Sequence, residues 1–273
     1  RDRSPGRRGG LASVGAMSTQ PSASAQPSAA PAAEIGVIGG SGFYSFLDDV
    51  EEVRVDTPYG PPSDPVTVGE LAGRRVAFVR SLGVRQVLAP SAVGSLTPDL
   101  GVGTLAVPDQ LIDRTSGREQ TYYDEGAAIH VSFADPYCPA GRRTAVETAR
   151  AAGWDLADRG TLVVIEGPRF STRAESQWFA SQGWTLIGMT GHPEAVLARE
   201  LALCYTSLCL VTDLDAGIEE GEGVTMEEVF RVFGENIGRL RDLVGDVIRA
   251  LPAERDCPCP NTLDGMKLPL ELP

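Results

Sequence analysis

The chain has 273 residues, of which 42% are hydrophobic, and carries a formal net charge of −13 at pH 7. This length suffices for one sizeable core, so we expect a single domain. The acidic charge argues against nucleic acid or an anionic membrane surface as the main partner, but a small anionic ligand is compatible because local donors can outweigh the global field. No apolar run in the sequence approaches the length of a membrane span.

The first 33 residues differ in composition from the rest of the chain. They are rich in Pro, Gly, Ser and Ala and poor in the aromatic and branched residues that offset ordering entropy. They also lack the apolar core of a secretory signal, which favours a cytoplasmic protein. We predict a disordered tail over 1–33, with translation starting at Met17, a domain over 34–251 and a C-terminal extension over 252–273.

Short apolar strands alternate with helices over most of the domain. Strands are predicted at 35–38, 50–55, 66–71, 75–79, 85–89, 107–112, 128–133, 161–165, near 185 and at 205–212. Helices are predicted at 139–152, 172–181 and 193–203, followed by a long final helix that Thr225 and Glu228 cap. This alternation predicts an α/β fold with a mixed, largely parallel central sheet and helices on both faces.

One junction between predicted strands is unusually short. Only residues 81–84 separate the strand that ends near Arg80 from the next one. A parallel crossover needs a dozen or more residues. Either the two strands form an antiparallel hairpin, or this chain lacks a segment.

The run from Glu166 to Glu175 follows a buried strand and precedes a helix. It breaks at a Gly-Pro pair, and Thr172 and Glu175 have the spacing of a capping box. It also places a carboxylate, a guanidinium, an aromatic ring and two hydroxyls where α/β proteins position ligand-binding groups. We therefore interpret this run as part of a site.

Two further segments at predicted strand ends could bind an anion. Residues 39–42 are Gly-Gly-Ser-Gly and include Ser41, and residues 91–96 begin with Ser91. Glycine-rich turns let backbone amides converge on an anion, and the serine hydroxyls add donors. A plain turn explains either segment alone. The spacing of residues 39–42 does not match the dinucleotide fingerprint, which argues against an oxidoreductase.

Three other parts of the sequence contain residues that could act in a site but could equally have a purely structural role. Thr190 precedes a helix whose N-terminus attracts anions, and the adjacent Met189 is in isolation typical of core packing. Asp213 and Asp215 close a very apolar strand, either as a solvated strand end or as acceptors for a ring amine or a proton source. His130 taken alone is typical of a structural histidine.

The cysteines give no clear metal pattern. Cys257 and Cys259 form the one closely spaced pair, whereas zinc sites usually combine two such pairs. The sequence therefore predicts no metal site and favours a local redox clip or a plain turn at this pair. The five cysteines together fit a reducing compartment.

Taken in order, these segments resemble the methylthioadenosine phosphorylase branch of the purine nucleoside phosphorylase family. The resemblance extends from about residue 34 to 250. The matching runs are residues 35–43, 56–60, 108–114, 133–138, 166–175 and 188–195. It implies phosphorolysis of S-methyl-5'-thioadenosine to adenine and 5-methylthioribose 1-phosphate, a step of purine and methionine salvage. It also implies a homotrimer that needs no metal or organic cofactor, with inorganic phosphate as the co-substrate.

The same resemblance implies a phosphate site beneath the sugar. Ser41, Arg80, Ser91 and Thr190 would hold phosphate, together with the backbone amide of Ala92. Ribose gains oxocarbenium character as phosphate attacks C1′, so the bound anion stabilises the transition state.

Above the sugar, the resemblance implies a purine site. Met189 would contact the ribose and Phe170 the base or sugar, while Ser171, Asp213 and Asp215 would line the purine edge. Asp213 would act at N7 as the base leaves. A pair of aspartates suits a 6-aminopurine, because 6-oxopurine enzymes of the family tend to carry Asn there.

Two more residues would contact the 5′ group of the nucleoside. His130 resembles a residue that a neighbouring subunit of the trimer supplies, and Met226 would add apolar contact to a methylthio group. The pair Cys257 and Cys259 resembles a cysteine pair of some microbial relatives.

The chain departs from the family pattern after Arg80. Relatives continue with a histidine, a His-Gly loop and a helix that this sequence lacks, which agrees with the short junction at residues 81–84. An internal deletion next to Arg80 is therefore expected. The alternatives are a general purine nucleoside phosphorylase and a defective nucleoside-binding relative.

Overall fold

The structure is a computed structural model that describes residues 33–39, 48–53, 66–71, 74–76, 83–123, 128–218 and 223–269, all within one compact unit that spans residues 31–273. The predicted tail lies outside the described residues except for Ala33. This side chain is 1% exposed and packs into the core, so Ala33, which the prediction assigned to the tail, belongs to the packed part of the chain. No described helix is both long and apolar enough to cross a membrane.

The described residues form eleven strands and four α-helices. The strands are β1 (Ile35–Val37), β2 (Asp48–Val53), β3 (Val66–Leu71), β4 (Arg74–Val76), β5 (Gln86–Ser95), β6 (Leu105–Ala106), β7 (Gln110–Arg114), β8 (Leu156–Ala157), β9 (Thr161–Ile165), β10 (Leu186–Gly188) and β11 (Cys204–Leu214). The helices are α1 (Pro139–Ala151), α2 (Arg173–Ser181), α3 (Glu194–Glu200) and α4 (Met226–Ala250), and a short 3₁₀ turn follows at Cys259–Asn261.

All eleven strands belong to one mixed sheet. Its main path runs β2-β3-β4-β1-β5-β10-β9-β7, and β11 pairs along the whole length of β5. Parallel pairing joins β1 to β4 and β5, β11 to β5, and β9 to β7 and β10. The predicted α/β fold with a largely parallel central sheet is confirmed.

Helices cover both faces of this sheet, as the sequence predicts. On one face, Leu208 and Leu210 of β11 pack with residues of α1 and α4 such as Ala145 and Val244. On the other face, Tyr205 packs with α3. The period-two alternation along β11 thus buries both sides of the strand.

The capping predictions for the helices are confirmed. Thr172 and Glu175 form a reciprocal capping box at the start of α2. The hydroxyl of Thr225 accepts a hydrogen bond from the amide of Glu228 at the start of α4. In the first turns of α4, the side chain of Phe230 is 57% exposed. This end of α4 extends past the core and borders the cavities described below.

Three predictions about strands are wrong. The strand predicted at 85–89 continues to Ser95, so residues 91–95 belong to β5 and not to a loop. The strand predicted at 128–133 is absent, and those residues have no regular structure. The hairpin alternative for the short junction also fails, because β4 and β5 both run parallel to β1 and lie on opposite sides of it.

Candidate active site

A gap in the central sheet opens beside the middle of β5. On one side of this strand, β1 pairs with residues 86–88 in parallel and β10 pairs with Gly94 and Ser95 in antiparallel direction. Among the described strands, none pairs with residues 89–93 on that side. Pro90, which has no N–H to donate, lies in this stretch, where β5 has a partner on one side only. Ligands of open α/β sheets bind in crevices of this kind.

The first cavity of about 320 Å³ lies over this gap. Its walls are residues of β5, the loop before α3 and the first turns of α4. Polar side chains in the lining are Ser91, Thr190, Glu194, Tyr205 and Ser207.

The second cavity of about 210 Å³ adjoins the first, since Ala92, Thr190 and Val229 line both. Its lining includes two acids at the end of β11 together with aromatic, hydroxyl and thioether groups. These residues are Phe170, Ser171, Met189, Asp213, Asp215 and Met226.

Asp213 is a buried acid whose environment favours its protonated form. Burial raises its pKa to about 6, and the charge of Asp215 adds to this shift. The hydroxyl of Thr212 lies 2.9 Å from Oδ2 of Asp213 and 3.2 Å from the carbonyl of Val93. The Thr212 hydroxyl donates to the carboxyl group of Asp213, which opposes the rise in its pKa without cancelling it. Asp213 is therefore suited to give a proton to a ligand.

Asp215 is also buried, and hydrogen bonds from neighbouring residues hold its carboxylate in place. Burial raises its pKa, whereas hydrogen bonds from Ser176 and the amide of Ala216 oppose the shift. The Ser176 hydroxyl donates to Oδ2 of Asp215 at 2.5 Å. Helix α2 thus fixes the rotamer of Asp215 through Ser176.

The run from Glu166 to Glu175 divides into structural and cavity-lining residues. Arg169 and Glu175 form a two-pronged ion pair, with both N···O distances 2.8 Å, and Glu175 also accepts from the amide of Thr172. These charged groups stabilise the start of α2 and lie outside the two cavities. Phe170 and Ser171 line the second cavity. Among the described residues, the buried hydroxyl of Ser171 has no hydrogen-bond partner, so it is available to a ligand.

Two residues that were not among the predicted site residues help to position the cavity walls. Arg118 donates to the carbonyls of Ile165, Glu166, Met189 and His192, which joins the end of β9 to the loop before α3. A Cβ added to Gly94 would lie 2.9 Å from Oδ1 of Asp213, so only glycine admits the carboxylate in this position.

Most of the predicted site residues come together in these cavities. They are Ser91, Ala92, Phe170, Ser171, Met189, Thr190, Asp213, Asp215 and Met226. His130 is exposed and lines neither cavity. Ser41 and Arg80 lie outside the described residues.

The sequence patterns indicate only some of the residues that position the cavity walls and the two acids. Gly94 lies within the predicted segment 91–96, and Thr212 directly precedes the predicted acid Asp213. Ser176 directly follows the run 166–175 and Arg118 lies outside every predicted motif, but neither has a signal of its own, because both act through contacts between segments far apart in the chain.

The described lining of the first cavity has no positive charge, although the sequence predicts phosphate as its ligand. Among the described residues that line it, Glu194 is the only charged side chain, and its buried Oε2 has no hydrogen-bond partner there. Hydroxyl groups and backbone amides are thus the anion donors of this described lining. A cation that faces an anion in this cavity would have to come from outside this described lining.

The described residues offer one group that could hold a metal ion, and it lies outside both cavities. It consists of Cys138, Cys204, Cys257 and Cys259.

Known proteins share both the sequence and the fold. A purine nucleoside phosphorylase from Streptomyces coelicolor is 59% identical, with 88% of this chain and 98% of the relative covered. An S-methyl-5'-thioadenosine phosphorylase from Mycolicibacterium smegmatis is 54% identical, with 88% and 99% covered. A crystal structure of methylthioadenosine phosphorylase from Schistosoma mansoni in complex with adenine has a TM-score of 0.77 and 29% identity, with 82% of this chain and 93% of that chain covered.

The relatives contain residues that this chain lacks. The alignment with the Streptomyces protein spans 274 positions, whereas 88% of 273 residues is about 240, so roughly 30 positions have no counterpart here. This difference agrees with the internal deletion expected from the sequence.

The family follows from the extent of the match. The sequence model of the phosphorylase superfamily matches residues 34–249, which include every described residue that lines the two cavities. A methylthioadenosine phosphorylase from an antarctic soil metagenomic library has the same fold, with a TM-score of 0.77 and 36% identity over 85% of this chain and 91% of that chain. The chain belongs to the phosphorylase superfamily.

Proposed function

We propose that this protein cleaves the N-glycosidic bond of S-methyl-5'-thioadenosine with inorganic phosphate and releases adenine and 5-methylthioribose 1-phosphate. The observation that carries the proposal is the pair Asp213 and Asp215 in a cavity that adjoins a second, hydroxyl-lined cavity. This arrangement provides separate places for a leaving base and for an attacking anion. The names of the relatives from Mycolicibacterium and other organisms support the same reaction.

On the base side, Asp213 donates a proton to N7 of the purine. As the C1′–N9 bond breaks, its electron pair moves into the purine, and protonation at N7 stabilises the leaving group. The raised pKa of Asp213, about 6, keeps a proton accessible near neutral pH. Asp215 and the unpartnered hydroxyl of Ser171 bind the exocyclic amine and the ring edge, while Phe170 packs against the base or sugar.

On the sugar side, phosphate attacks C1′ as the new C–O bond forms. Ser91, Thr190 and the amide of Ala92 hold the phosphate from the described walls, and Ser41 and Arg80 complete the site. The developing positive charge on the ribose is stabilised by the phosphate beneath it.

The 5′ group of the substrate distinguishes this reaction from others of the family. Met189 contacts the ribose, and Met226 gives an apolar surface for the methylthio group. His130 is exposed on its own subunit and reaches a neighbouring site in a homotrimer. We infer a cytoplasmic enzyme of purine and methionine salvage that uses no metal or organic cofactor in this reaction and binds neither nucleic acid nor membranes.

Phosphate-dependent release of adenine tests the proposal. Purified protein is incubated with S-methyl-5'-thioadenosine with and without phosphate, and adenine is quantified by chromatography. We expect release with phosphate only. A folded protein that releases no adenine, or releases it equally without phosphate, refutes the reaction. Light scattering of the same sample tests the homotrimer.

A general purine nucleoside phosphorylase is the closest alternative, because the Streptomyces relative carries that name. The two acids at the base edge favour a 6-amino group, which donates hydrogen bonds, over a 6-oxo group, which accepts them. We therefore expect higher kcat/KM with S-methyl-5'-thioadenosine than with inosine. Asp213→Asn should move this preference toward inosine, and equal activity on both substrates supports the alternative.

A second candidate is a nucleoside-binding protein without phosphorolytic activity. It is favoured by the roughly 30 positions missing relative to the Streptomyces protein and by Glu194 as the sole charge in the described lining of the first cavity. Calorimetry with adenine separates the two: phosphate that tightens adenine binding supports the enzyme, and binding unaffected by phosphate supports the second candidate.

A further inference from the structure

Four of the five cysteines meet where the C-terminal segment crosses the sheet. Cys138 is the N-cap of α1, Cys204 begins β11, and Cys257 and Cys259 follow α4. Their four Sγ atoms all lie within 4.8 Å of one another, and three of the four residues are buried. The fifth, Cys209, lies apart and contacts Ser91 and Ser207.

Hydrogen bonds to backbone carbonyls bring the segments around this cluster together. The Nε2 of Gln86 donates to the carbonyl of Pro252 at 2.9 Å, which directs the chain after α4 toward the sheet. Arg255 donates to the carbonyl of Ala202 at 2.8 Å, two residues before Cys204. The amide of Cys138 donates to the carbonyl of Tyr205 at 2.8 Å. Three separate parts of the chain are thus brought together at one point.

The spacing of the sulfurs matches what a tetrahedral thiolate site requires. Zinc binds thiolates at about 2.3 Å, so neighbouring sulfurs of a regular tetrahedron are roughly 3.8 Å apart. The Sγ atoms of Cys204 and Cys257 are 3.5 Å apart, and the 4.8 Å limit holds for all pairs. The four cysteines are free thiols, and the distance of 3.5 Å between the Sγ atoms of Cys204 and Cys257 is longer than the about 2.0 Å of a disulfide.

The environment of Cys138 also favours negative charge. The amide of Gly141 in the first turn of α1 donates to its Sγ at 3.4 Å, and a helix N-terminus stabilises an anion. The thiolate is the form of cysteine that binds metals, so this N-cap position suits Cys138 as a ligand.

We propose that Cys138, Cys204, Cys257 and Cys259 bind one zinc ion and that this ion fastens the C-terminal segment to the sheet. The ion lies outside both cavities and has a structural role. All four ligands are protein thiolates, which leaves no open position for catalysis. The proposal is independent of the substrate of the enzyme.

Metal content and thiol count test the site together. The protein is purified under reducing conditions in zinc-supplemented buffer, freed of unbound metal, and measured by elemental mass spectrometry. A thiol reagent then counts cysteines in denaturant with a chelator. One zinc and five thiols per chain support the proposal. Five thiols without zinc indicate a plain thiol cluster, fewer thiols without zinc indicate disulfides, and one iron per chain indicates a different metal; each of these overturns it.

A pair of variants separates the site from a general effect of losing cysteine. Cys257→Ser/Cys259→Ser should lose the zinc, whereas Cys209→Ala, which lies outside the cluster, should keep one zinc per chain. Reconstitution with Co²⁺ provides a second, spectroscopic measurement of the site, because tetrahedral cobalt thiolates absorb strongly in the visible range. We expect this absorption in Cys209→Ala and its loss in the double variant. Equal zinc and equal absorption in both variants overturn the assignment.

Discussion

The two cavities differ in how completely the described residues build them. The second cavity contains acids, a free hydroxyl and an aromatic ring, and each acid has its own partner, Thr212 or Ser176. The first cavity offers hydroxyls and one carboxylate, Glu194, for a ligand that we expect to be an anion. In the proposed reaction, recognition of the base depends on β11, α2 and their neighbours, whereas recognition of phosphate depends also on parts of the chain beyond these walls.

This contrast teaches that the two halves of the reaction can be lost separately. A chain that lacks residues near the proposed phosphate site can retain the proposed base site, because most of the lining of the second cavity comes from segments after residue 164. The predictions below test each cavity on its own.

The largest effect is expected for Asp213→Ala. Loss of a positioned proton donor typically costs about 10²–10⁴-fold in rate. We expect kcat/KM for adenine release to fall within that range. Asp99→Ala, which changes an exposed acid on the turn after β5, is the control and should retain full activity. An Asp213→Ala enzyme that retains more than a tenth of the activity contradicts the role at N7.

Gly94→Ala should act on the same carboxylate without removing it. The added Cβ would lie 2.9 Å from Oδ1 of Asp213 and 3.0 Å from Cγ2 of Ile187, so the acid has to move. A displacement of about 1 Å at a catalytic group can reduce the rate about 100-fold. Gly101→Ala is the matched control, because its Cβ meets nothing within 4 Å. Equal adenine release by both variants shows that the placement of Asp213 is not critical.

The raised pKa of Asp213 should also make the free energy of unfolding depend on pH. Its pKa is raised from 3.8 to about 6, so folding favours the protonated form and the free energy of unfolding falls as pH rises through this range. The full cost is about 3 kcal/mol, and roughly half of it falls between pH 5 and pH 8. Asp213→Asn should lose this part of the slope.

Urea unfolding of both proteins at pH 5 and pH 8 measures the difference. Titrating groups that do not interact with Asp213 contribute equally to the two proteins and cancel in the comparison, whereas the interaction with Asp215 is part of the measured difference. Identical slopes mean that Asp213 titrates normally, and the contrast between the cavities loses its electrostatic basis.

The sequence predicted the parts of this molecule that local patterns determine. Strand β9 and helix α2 agree with the predicted segments because an apolar run, a Gly-Pro break and a capping box lie next to one another. The convergence of Thr190 with Asp213 followed from the resemblance to a known family, since no local pattern relates residues so far apart.

Long-range contacts explain what the sequence did not predict. The strand predicted at 85–89 continues to Ser95, because pairing with β11 supports β5 along its length. Cys257 and Cys259 suggested a lone pair, because Cys138 and Cys204 join them only in the folded chain. Arg169 and Glu175 are close in the sequence, but only the structure shows that their ion pair stabilises the start of α2.

The smallest effects come from one substitution made in each cavity. Ser91→Ala removes a hydroxyl that lines only the first cavity, and Ser171→Ala removes one that lines only the second. A hydrogen bond to a charged ligand contributes about 1.5–3 kcal/mol, so Ser91→Ala should raise the KM for phosphate about 10-fold. Ser171→Ala should weaken adenine binding by a smaller factor and leave the KM for phosphate unchanged, because its partner is neutral. If Ser91→Ala instead weakens adenine binding and spares phosphate, then the assignment of the two cavities is reversed, and the missing segment no longer explains a weak phosphate site.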